Sequence, residues 1–272
     1  NYGMIVKPFS VIAADLDRDG DQDLVASAAG FGGHDSVSVF KNNGDGTFAA
    51  KIEYQTGSGA GSVFASDLDG DEDIDLAVAD SSSTSVYVLK NNGDGTFATK
   101  VGYRTGRSPM SVFATDLDGD GDKDLAVANI GLSGASGTVS ILKNSGDGTF
   151  AERVDYGTGL GPVFIFASDL NGDGKEDLAV ANTGGNSISI LKNLSIVTCT
   201  FKPGDVNGDM KYNLIDIVSL VNVIFKGGAK PNPACRADAN SDGQGNLVDI
   251  IFLVNTIFKG GPNPLPIGPC CL

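Results

Sequence analysis

The sequence is poor in the residues on which catalysis and nucleic-acid binding usually depend. Its 272 residues contain no tryptophan and a single histidine, His34, which lies in a glycine-rich loop. Lys and Arg number 19 against 34 Asp and Glu, so the formal charge is −15 and a basic face for nucleic acid is excluded. No Ser-His-Asp arrangement can be assembled around a lone loop histidine, and we therefore predict that the protein is not an enzyme.

Long apolar runs are also missing from the sequence, which excludes a membrane-spanning helix. The absence of tryptophan removes a common platform for stacking sugars, although paired carboxylates keep glycan binding or glycan degradation open as an alternative. The first residues, from Asn1, show no secretory signal peptide, so we expect either a processed mature form or a fragment.

Cysteine is confined to the last part of the chain, at Cys199, Cys235, Cys270 and Cys271. An even number of cysteines in a small acidic segment predicts disulfides and an extracellular setting. A bond between the adjacent Cys270 and Cys271 would close a strained ring. We therefore expect Cys199 and Cys235 each to pair with one of the two C-terminal cysteines.

The acidic residues are concentrated in a ten-residue pattern that occurs four times. Carboxylates occupy positions 1, 3, 5 and 9, apart from Asn171 at position 3 of the fourth copy, so their charges converge when the loop curls. Converging like charges repel unless a cation neutralises them, and Ca²⁺ suits such a site because it takes roughly six to eight oxygen ligands. The predicted ligands are Asp15, Asp17, Asp19, Asp21 and Asp23; Asp67, Asp69, Asp71, Asp73 and Asp75; Asp116, Asp118, Asp120, Asp122 and Asp124; and Asp169, Asn171, Asp173, Lys175 and Asp177.

Two positions of this pattern depart from the common residue. Position 6 is glycine in three copies, where a tight turn needs a positive φ, but Glu72 replaces it in the second copy. We expect backbone strain and weaker ion binding there. Position 7 is Lys175 in the fourth copy, which fits a site only if the backbone carbonyl is the ligand. Solvated acidic turns are common singly, but four copies in one register favour a metal site.

The acidic loops lie inside a longer repeat with a period of roughly 50 residues, which is typical of propeller blades or a repeat array. Tyr2, Tyr54, Tyr103 and Tyr156 mark its phase. Each unit is predicted to contain four short strands, with the acidic loop after the first. A turn such as Asn91–Gly95 follows the third strand, because Asn-Gly and Asp-Gly accept left-handed backbone conformations.

These units resemble the FG-GAP or VCBS repeats of β-propellers, over residues 1–196. The resemblance implies a β-propeller in which each acidic loop joins the first two strands of a blade and binds Ca²⁺. Four units are fewer than that family usually carries, and the fourth lacks the Gly-Asp-Gly-Thr-Phe turn. We expect either a closed ring of four units, completed by residues 1–3 or 195–201, or an open arc whose edges need a partner.

A second, shorter repeat occupies residues 205–261. Each copy combines a loop with EF-hand-like ligand spacing and an apolar run at helical spacing that ends in Lys-Gly-Gly. The helix that precedes the loop in an EF-hand is excluded by the Pro-Gly pair at 203–204. The predicted metal ligands are Asp205, Asn207, Asp209, Lys211 and Asp216, and then Asp238, Asn240, Asp242, Gln244 and Asp249. Met210 replaces a glycine, so we expect the first site to be the weaker one.

This segment looks like a type I dockerin, over residues 197–272. The resemblance implies Ca²⁺ binding and a cohesin partner that is contacted through loop positions 10 and 11. Those positions are Leu214, Ile215, Leu247 and Val248, which are more apolar than the usual pair in dockerins. We expect them to form an exposed contact surface, with packing onto the repeat domain of the same chain as the alternative.

The sequence as a whole therefore predicts a mainly β protein with a four-unit calcium-binding β-propeller or propeller arc and a small α-helical dockerin-like domain. We expect about six Ca²⁺ ions, secretion or a cell-surface location, and a non-enzymatic role in extracellular assembly or adhesion. The partner is either a cohesin-like protein or a neighbouring copy of the chain. In the second case, contacts between the propeller and the dockerin-like domain would build a homo-oligomer or filament.

Overall fold

A computed structural model describes residues 2, 7–29, 36–57, 59–132, 134–194, 204–207, 211–227, 239–240 and 246–262. The chain divides into two compact units, Asn1–Asn193 and Leu194–Leu272. The sequence had placed this boundary between residues 196 and 197. The described part of the first unit is built from strands, and that of the second from two helices.

The first unit forms four antiparallel sheets in chain order. The first sheet contains β1 (Lys7–Ala14), β2 (Asp23–Ala29), β3 (Ser36–Phe40) and β4 (Ile52–Gln55), and the second contains β5 (Ala60–Ser66), β6 (Asp75–Asp80), β7 (Ser85–Leu89) and β8 (Val101–Arg104). The third contains β9 (Pro109–Thr115), β10 (Asp124–Asn129), β11 (Ser136–Leu142) and β12 (Val154–Leu160). The fourth contains β13 (Pro162–Ser168), β14 (Asp177–Asn182) and β15 (Ser187–Leu191).

Each sheet is a meander whose strand order follows the chain. The predicted strands are confirmed, although Phe97 forms only an isolated bridge with Asn91, before the last strand begins. The second strands of the second and third sheets, β6 and β10, are apolar on both sides because they are covered on both faces. In β6, Leu76 and Val78 pack towards the first sheet, whereas Ala77 and Ala79 pack towards the third.

The four sheets pack face to face through their first strands, β1 against β5, β5 against β9 and β9 against β13. An apolar cluster fills each of the three junctions. The phenylalanines Phe64, Phe113 and Phe166 form a row across these strands, with ring centroids 4.6 and 5.5 Å apart. The three junctions between sheets are therefore built from residues at equivalent positions of the repeats.

A side-chain amide ties each sheet to the acidic loop of the sheet before it. The amide nitrogens of Asn91 and Asn144 donate to the carbonyls of Leu16 and Leu68, at 2.8 and 2.7 Å. Asn193 repeats this contact with the carbonyl of Leu117 at 2.7 Å. The acidic loops are therefore part of the packing between sheets.

The row of sheets is open among the described residues. The fourth sheet has three strands there, which agrees with the turn that its sequence lacks. Its first strand, β13, makes no extensive contact with β1 in that part of the chain. Residues 1, 3 and 195–201, the candidates for closing a ring, lie outside the described residues.

The second unit contains helices α1 (Leu214–Lys226) and α2 (Leu247–Lys259), as the sequence predicts. Asn213 and Asn246 cap their first turns, and Gly227 and Gly260 end them in left-handed conformations at φ 64° and 65°. Leu220 and Leu253 are fully buried between the helices. The apolar residues at helical spacing in the two helices therefore form the core of this unit.

Within the described residues, neither helix is long and apolar enough to cross a membrane. The four cysteines Cys199, Cys235, Cys270 and Cys271, and the loop histidine His34, lie outside the described residues. The predicted disulfide pairing therefore stays a prediction.

The bond from Asn144 to Leu68 offers a test of the coupling between sheets. We expect Asn144→Ala to lower the free energy of unfolding by about 1–3 kcal/mol more than Asn42→Ala, because it leaves the buried Leu68 carbonyl without a donor. Asn42 is a matched control, since it makes the same bonds within its own sheet, to Gly44 and Gln22. Denaturant unfolding in Ca²⁺ measures both costs, and equal costs would contradict the coupling.

Candidate metal centres

Each acidic loop connects the first two strands of its sheet, and the first three loops draw carboxylates together. Ligand oxygens of Asp15, Asp17 and Asp19 all lie within 4.8 Å of one another. The second loop brings together Asp67, Asp69 and Asp71, and the third brings together Asp116, Asp118 and Asp124. These are the residues that the sequence predicted to converge. Three of the four loops of the repeat unit therefore present clustered carboxylates.

Several carboxylate oxygens in these clusters are buried and accept no hydrogen bond from the described residues. They are Oδ1 atoms of Asp15 and Asp17 in the first loop, of Asp69 in the second and of Asp118 in the third. A buried charged oxygen without a donor is costly unless a cation neutralises it. A set of hard oxygen donors of this kind fits Ca²⁺ better than it fits a soft metal.

The carboxylate at position 9 has a structural role that the sequence reasoning did not assign. Asp75 is buried and accepts the backbone N–H groups of Leu68 and Asn91, at 3.0 and 2.8 Å. Asp23 and Asp124 make the equivalent bonds. This residue fixes the start of the second strand, and in the third loop it also belongs to the carboxylate cluster.

Burial raises the pKa of Asp75 and of Asp124 to about 6, against the lowering effect of these backbone hydrogen bonds. The ordinary pKa of an aspartate is about 4. The ion-free folded chain therefore binds more protons than the unfolded chain between roughly pH 4 and pH 6. Through that window its stability falls as the pH rises, and the penalty is complete above the folded-state pKa.

The carboxylates at position 7 lie apart from the clusters. A Cβ atom built on Gly44, Gly93 or Gly146 would approach the side chains of Asp21, Asp73 and Asp122 to within 2.8–2.9 Å. These carboxylates therefore face the hairpin turn of their own sheet. The role of the position-7 backbone carbonyl as a metal ligand, including that of Lys175, therefore stays a prediction.

The fourth loop differs from the first three. Asp169 accepts hydrogen bonds from the backbone N–H groups of Gly174 and Gly172, as Asp67 and Asp116 accept them from the equivalent positions. It accepts a further bond from Asp173, and these bonds lower its pKa. No carboxylate group of the fourth loop appears among the clusters found in the described residues. Asp177 nevertheless keeps a buried Oδ2 atom that accepts no hydrogen bond there. This loop is the least acidic of the four, since Asn171 and Lys175 replace carboxylates.

In the second unit, the aspartate at position 12 of each loop is fully buried and caps a helix. Asp216 accepts the backbone N–H groups of Asn213 and Asn207, at 2.9 and 3.3 Å. Asp249 repeats the bonds with Asn246 and Asn240, at 2.8 and 3.1 Å. Asp205 is also buried, and Lys211 is exposed. The predicted ligands Asp209, Asp238, Asp242 and Gln244, together with Met210, lie outside the described residues.

Comparison with protein families assigns both units. FG-GAP-like repeats match residues 15–78, 67–127 and 129–180, which together span more than half of the chain. The chain belongs to the FG-GAP-like repeat family. Residues 203–258 match the dockerin type I domain. The two resemblances drawn from the sequence, and their order along the chain, are thereby confirmed.

Comparison with curated proteins gives no match. Among the solved structures that match is one of a lectin from Agrocybe aegerita that recognises non-reducing terminal N-acetylglucosamine, at 26% identity and a TM-score of 0.43. The alignment covers 66% of this chain and 51% of that one, so the chain spans about half the length of the lectin.

A lysine that the sequence reasoning missed pairs with a carboxylate in each of the first three FG-GAP-like loops. Nζ atoms of Lys41, Lys90 and Lys143 lie 3.2, 3.1 and 2.8 Å from the position-3 carboxylates Asp17, Asp69 and Asp118. Each lysine engages one carboxylate oxygen and leaves the other, the buried Oδ1, to the cluster. The signal was present in the sequence, because Lys-Asn follows the third strand in all four repeats.

Two non-glycine residues of the FG-GAP-like loops adopt left-handed conformations. Glu72 has φ 71°, which confirms the strain expected from its place in the pattern. Arg18 has φ 60° at position 4, where the other copies have glycine. Its guanidinium lies 2.9 Å from the Asp73 carboxylate of the next loop. The sequence analysis did not mark this second strained position.

The dockerin domain exposes the apolar residues that the sequence predicted to form a contact surface. Leu214 and Ile215 are 57% and 58% exposed, and Leu247 and Val248 are 53% and 52% exposed. The same helix faces continue with further exposed apolar residues, namely Val218 and Phe225 on α1 and Ile251 and Phe258 on α2. Each helix therefore carries an apolar stripe along its length.

Replacement of Glu72 tests the strain in the second loop. We expect Glu72→Gly to raise the free energy of unfolding by about 1 kcal/mol in EDTA, because glycine removes the cost of a left-handed conformation. The matched control is Gly121→Glu, which places the same side chain at the same position of the third loop. No atom lies within 4 Å of a Cβ built there, so its expected loss reports backbone strain and the added charge without a steric clash at Cβ. If glycine is not the more stable residue at either position, or if Glu72→Gly destabilises the protein, this account is contradicted.

Proposed function

We propose that the protein is a secreted, non-enzymatic, calcium-stabilised module that takes part in extracellular assembly by docking through its dockerin domain. The FG-GAP-like repeats form an arc of propeller blades that presents the calcium loops along one side. The dockerin domain supplies the contact with a cohesin-like partner. The observation that carries the proposal is the pair of exposed apolar stripes on α1 and α2 of a dockerin domain.

Calcium binding is supported by the chemistry of the loops. In three FG-GAP-like loops the carboxylates at positions 1 and 3 converge. The buried Oδ1 atom at position 3 of each of these loops, and that of Asp15, accepts no hydrogen bond from the described residues. The residues that would hold an ion there include Asp15 and Asp17, Asp67 and Asp69, and Asp116 and Asp118. A bound Ca²⁺ would neutralise the repulsion and fix the entry to the second strand of each sheet. We expect about six ions in the whole chain.

Docking is supported by the way in which the helix caps leave positions 10 and 11 exposed. Asp216 and Asp249 turn inward and are fully buried, so the two residues before each lie on the outer side of the first turn. The core of the domain is already supplied by Leu220, Leu253 and their neighbours. An exposed apolar surface of this kind is typical of a protein interface.

The first test of the function removes calcium at two pH values. Each ion that binds only the folded form stabilises it by about 2.7 kcal/mol at a hundredfold excess over Kd, so EDTA should lower the melting temperature strongly. The raised pKa values of Asp75 and Asp124 predict that the ion-free protein is more stable at pH 5 than at pH 7. Calcium, which neutralises the ionised carboxylates, should remove that trend.

Scanning calorimetry measures the melting temperature, and titration calorimetry counts the ions. We expect a count that approaches six, with weaker binding at the loops of Glu72 and Met210. Two or fewer ions at millimolar Ca²⁺, or an unchanged melt in EDTA, would refute the assignment of the loops as calcium sites. Equal stability of the ion-free chain at both pH values would refute the role given to the buried aspartates.

The second test concerns the docking surface. Serine at Leu214, Ile215, Leu247 and Val248 together should abolish binding of a recombinant cohesin domain, measured by titration calorimetry. The melting temperature should stay nearly unchanged, because exposed residues contribute within about 0.5 kcal/mol to stability. The pairs changed separately, in α1 or α2, show which repeat supplies the contact.

The control for this variant is Leu132→Ser, which changes a side chain of similar exposure, 59%, in the repeat unit. It should bind the cohesin domain as the unchanged chain does. If the four-residue variant unfolds, the residues belong to a core and docking through them is wrong. If the unchanged chain associates with itself in a way that the four-residue variant abolishes, the partner is another copy of the chain.

A further inference from the structure

Positions 4 and 6 of all four FG-GAP-like loops have left-handed backbone conformations. The φ angle lies between 60° and 82° at position 4 and between 71° and 100° at position 6. Glycine occupies six of these eight positions, because it adopts positive φ without strain. The two exceptions are Arg18, at position 4 of the first loop, and Glu72, at position 6 of the second. A strained residue persists only where the surrounding structure holds it in place.

Arg18 contacts the two residues on either side of Glu72. Its Nη2 atom donates to the backbone carbonyl of Asp71 at 2.9 Å, and its Nε atom lies 2.9 Å from the Asp73 carboxylate. A guanidinium group is planar and presents its donors in a fixed geometry, so two contacts of this kind restrict the backbone between them. The second loop is therefore held at its strained position from outside, by the loop of the preceding sheet.

The two following junctions lack this contact and do not require it. Position 4 is Gly70 in the second loop and Gly119 in the third, so no side chain reaches from that position to the next loop. The next loops carry Gly121 and Gly174 at position 6, where glycine adopts the turn without strain. The arginine thus precedes the one loop of the four in which position 6 is not glycine.

The arginine contacts the second loop without taking up its clustered ligand oxygens. The clustered oxygens belong to Asp67, Asp69 and Asp71, whereas the Asp73 carboxylate faces the hairpin turn of its own sheet. The buried Oδ1 atom of Asp69 therefore stays available to a cation. The backbone N–H of Glu72 donates to Oδ2 of Asp67 at 3.0 Å, so the conformation at Glu72 also sets the direction of the first carboxylate.

Given the calcium binding proposed above, on which this inference rests, we propose that Arg18 is a positioning residue for the second calcium loop and couples it to the first. Arg18 lies between Asp17 and Asp19, so an ion that draws these two carboxylates together fixes the backbone on both sides of it. The guanidinium then loses less entropy when it binds the second loop, and each ion favours binding of the other.

The test measures calcium binding loop by loop in four forms of the chain, namely the unchanged protein, Arg18→Ala, Glu72→Gly and the double variant. Alanine removes the guanidinium but keeps a side chain at the left-handed position. Nuclear magnetic resonance of backbone amides follows the loops separately, because the N–H groups of Gly20, Glu72 and Gly121 each donate to the first carboxylate of their own loop at 3.0 Å. Each of these position-6 signals gives the calcium concentration at which its loop is half filled.

Arg18→Ala should raise the half-filling concentration of the second loop by about fivefold or more, which is the range typical of coupled sites. In the Glu72→Gly background the same change should alter it by less than about twofold, because glycine adopts the turn without help. The third loop should keep its value in all four forms. Asp15→Ala, which removes a carboxylate of the first loop, should also weaken the second loop by about fivefold, but only while the Arg18 guanidinium is present.

The control is Arg107→Ala, which removes an exposed arginine between β8 and β9, at the end of the strands opposite the acidic loops. It should leave the values of all three loops unchanged, and calorimetric melts verify that every variant is folded. An equal effect of Arg18→Ala in both backgrounds, or an effect of Arg107→Ala as large as that of Arg18→Ala, would overturn the positioning role.

A second loop whose half-filling concentration does not respond to Asp15→Ala would overturn the coupling between the two loops. These outcomes leave calcium binding itself in place, so they contradict the role of Arg18 alone. If the loops of the unchanged chain bind no calcium, the proposed function fails together with the role of Arg18.

Discussion

Burial of each sheet face against the next is the interaction on which the rest of the repeat unit depends. A central strand such as β6 is apolar on both sides, with leucine and valine towards one neighbour and alanine towards the other. Large side chains of one sheet meet small side chains of the next, so the sheets approach closely and exclude water. No single sheet of this sequence could bury both of its faces alone, and stability must therefore be shared along the row.

The acidic loops are built into these junctions. The leucine at position 2 of a loop is buried beneath the following sheet, and its carbonyl accepts an amide from the turn of that sheet. Lys41 pairs with Asp17 of its own loop and donates to the carbonyl of Asp94 in the next sheet. A change in the charge of a loop therefore alters the contacts at the junction, and ion binding would change the stability of the row of sheets.

The dockerin domain also uses buried aspartates, which here join each loop to the helix that follows it. Asp216 and Asp249 are shared between helix capping and the loop, so the orientation of the helix and the shape of the loop are set together. This arrangement turns the preceding pair of aliphatic residues outward. The two units of the chain thus both use buried aspartates for order, and the dockerin domain leaves apolar residues exposed along α1 and α2.

The sequence by itself determined the repeats, the strand order, the two helices with their C-terminal ends, and the convergence of carboxylates in three of the four loops. These are local properties, because turn residues, strand alternation and loop spacing act within a few residues of one another. Only the tertiary structure decided that Asp75 anchors a strand, that Lys90 joins Asp69, and that Val11 is exposed while Val112 is buried. The last two valines stand in similar sequence contexts, and they differ because Val112 packs against the second sheet, whereas no sheet among the described residues packs on Val11.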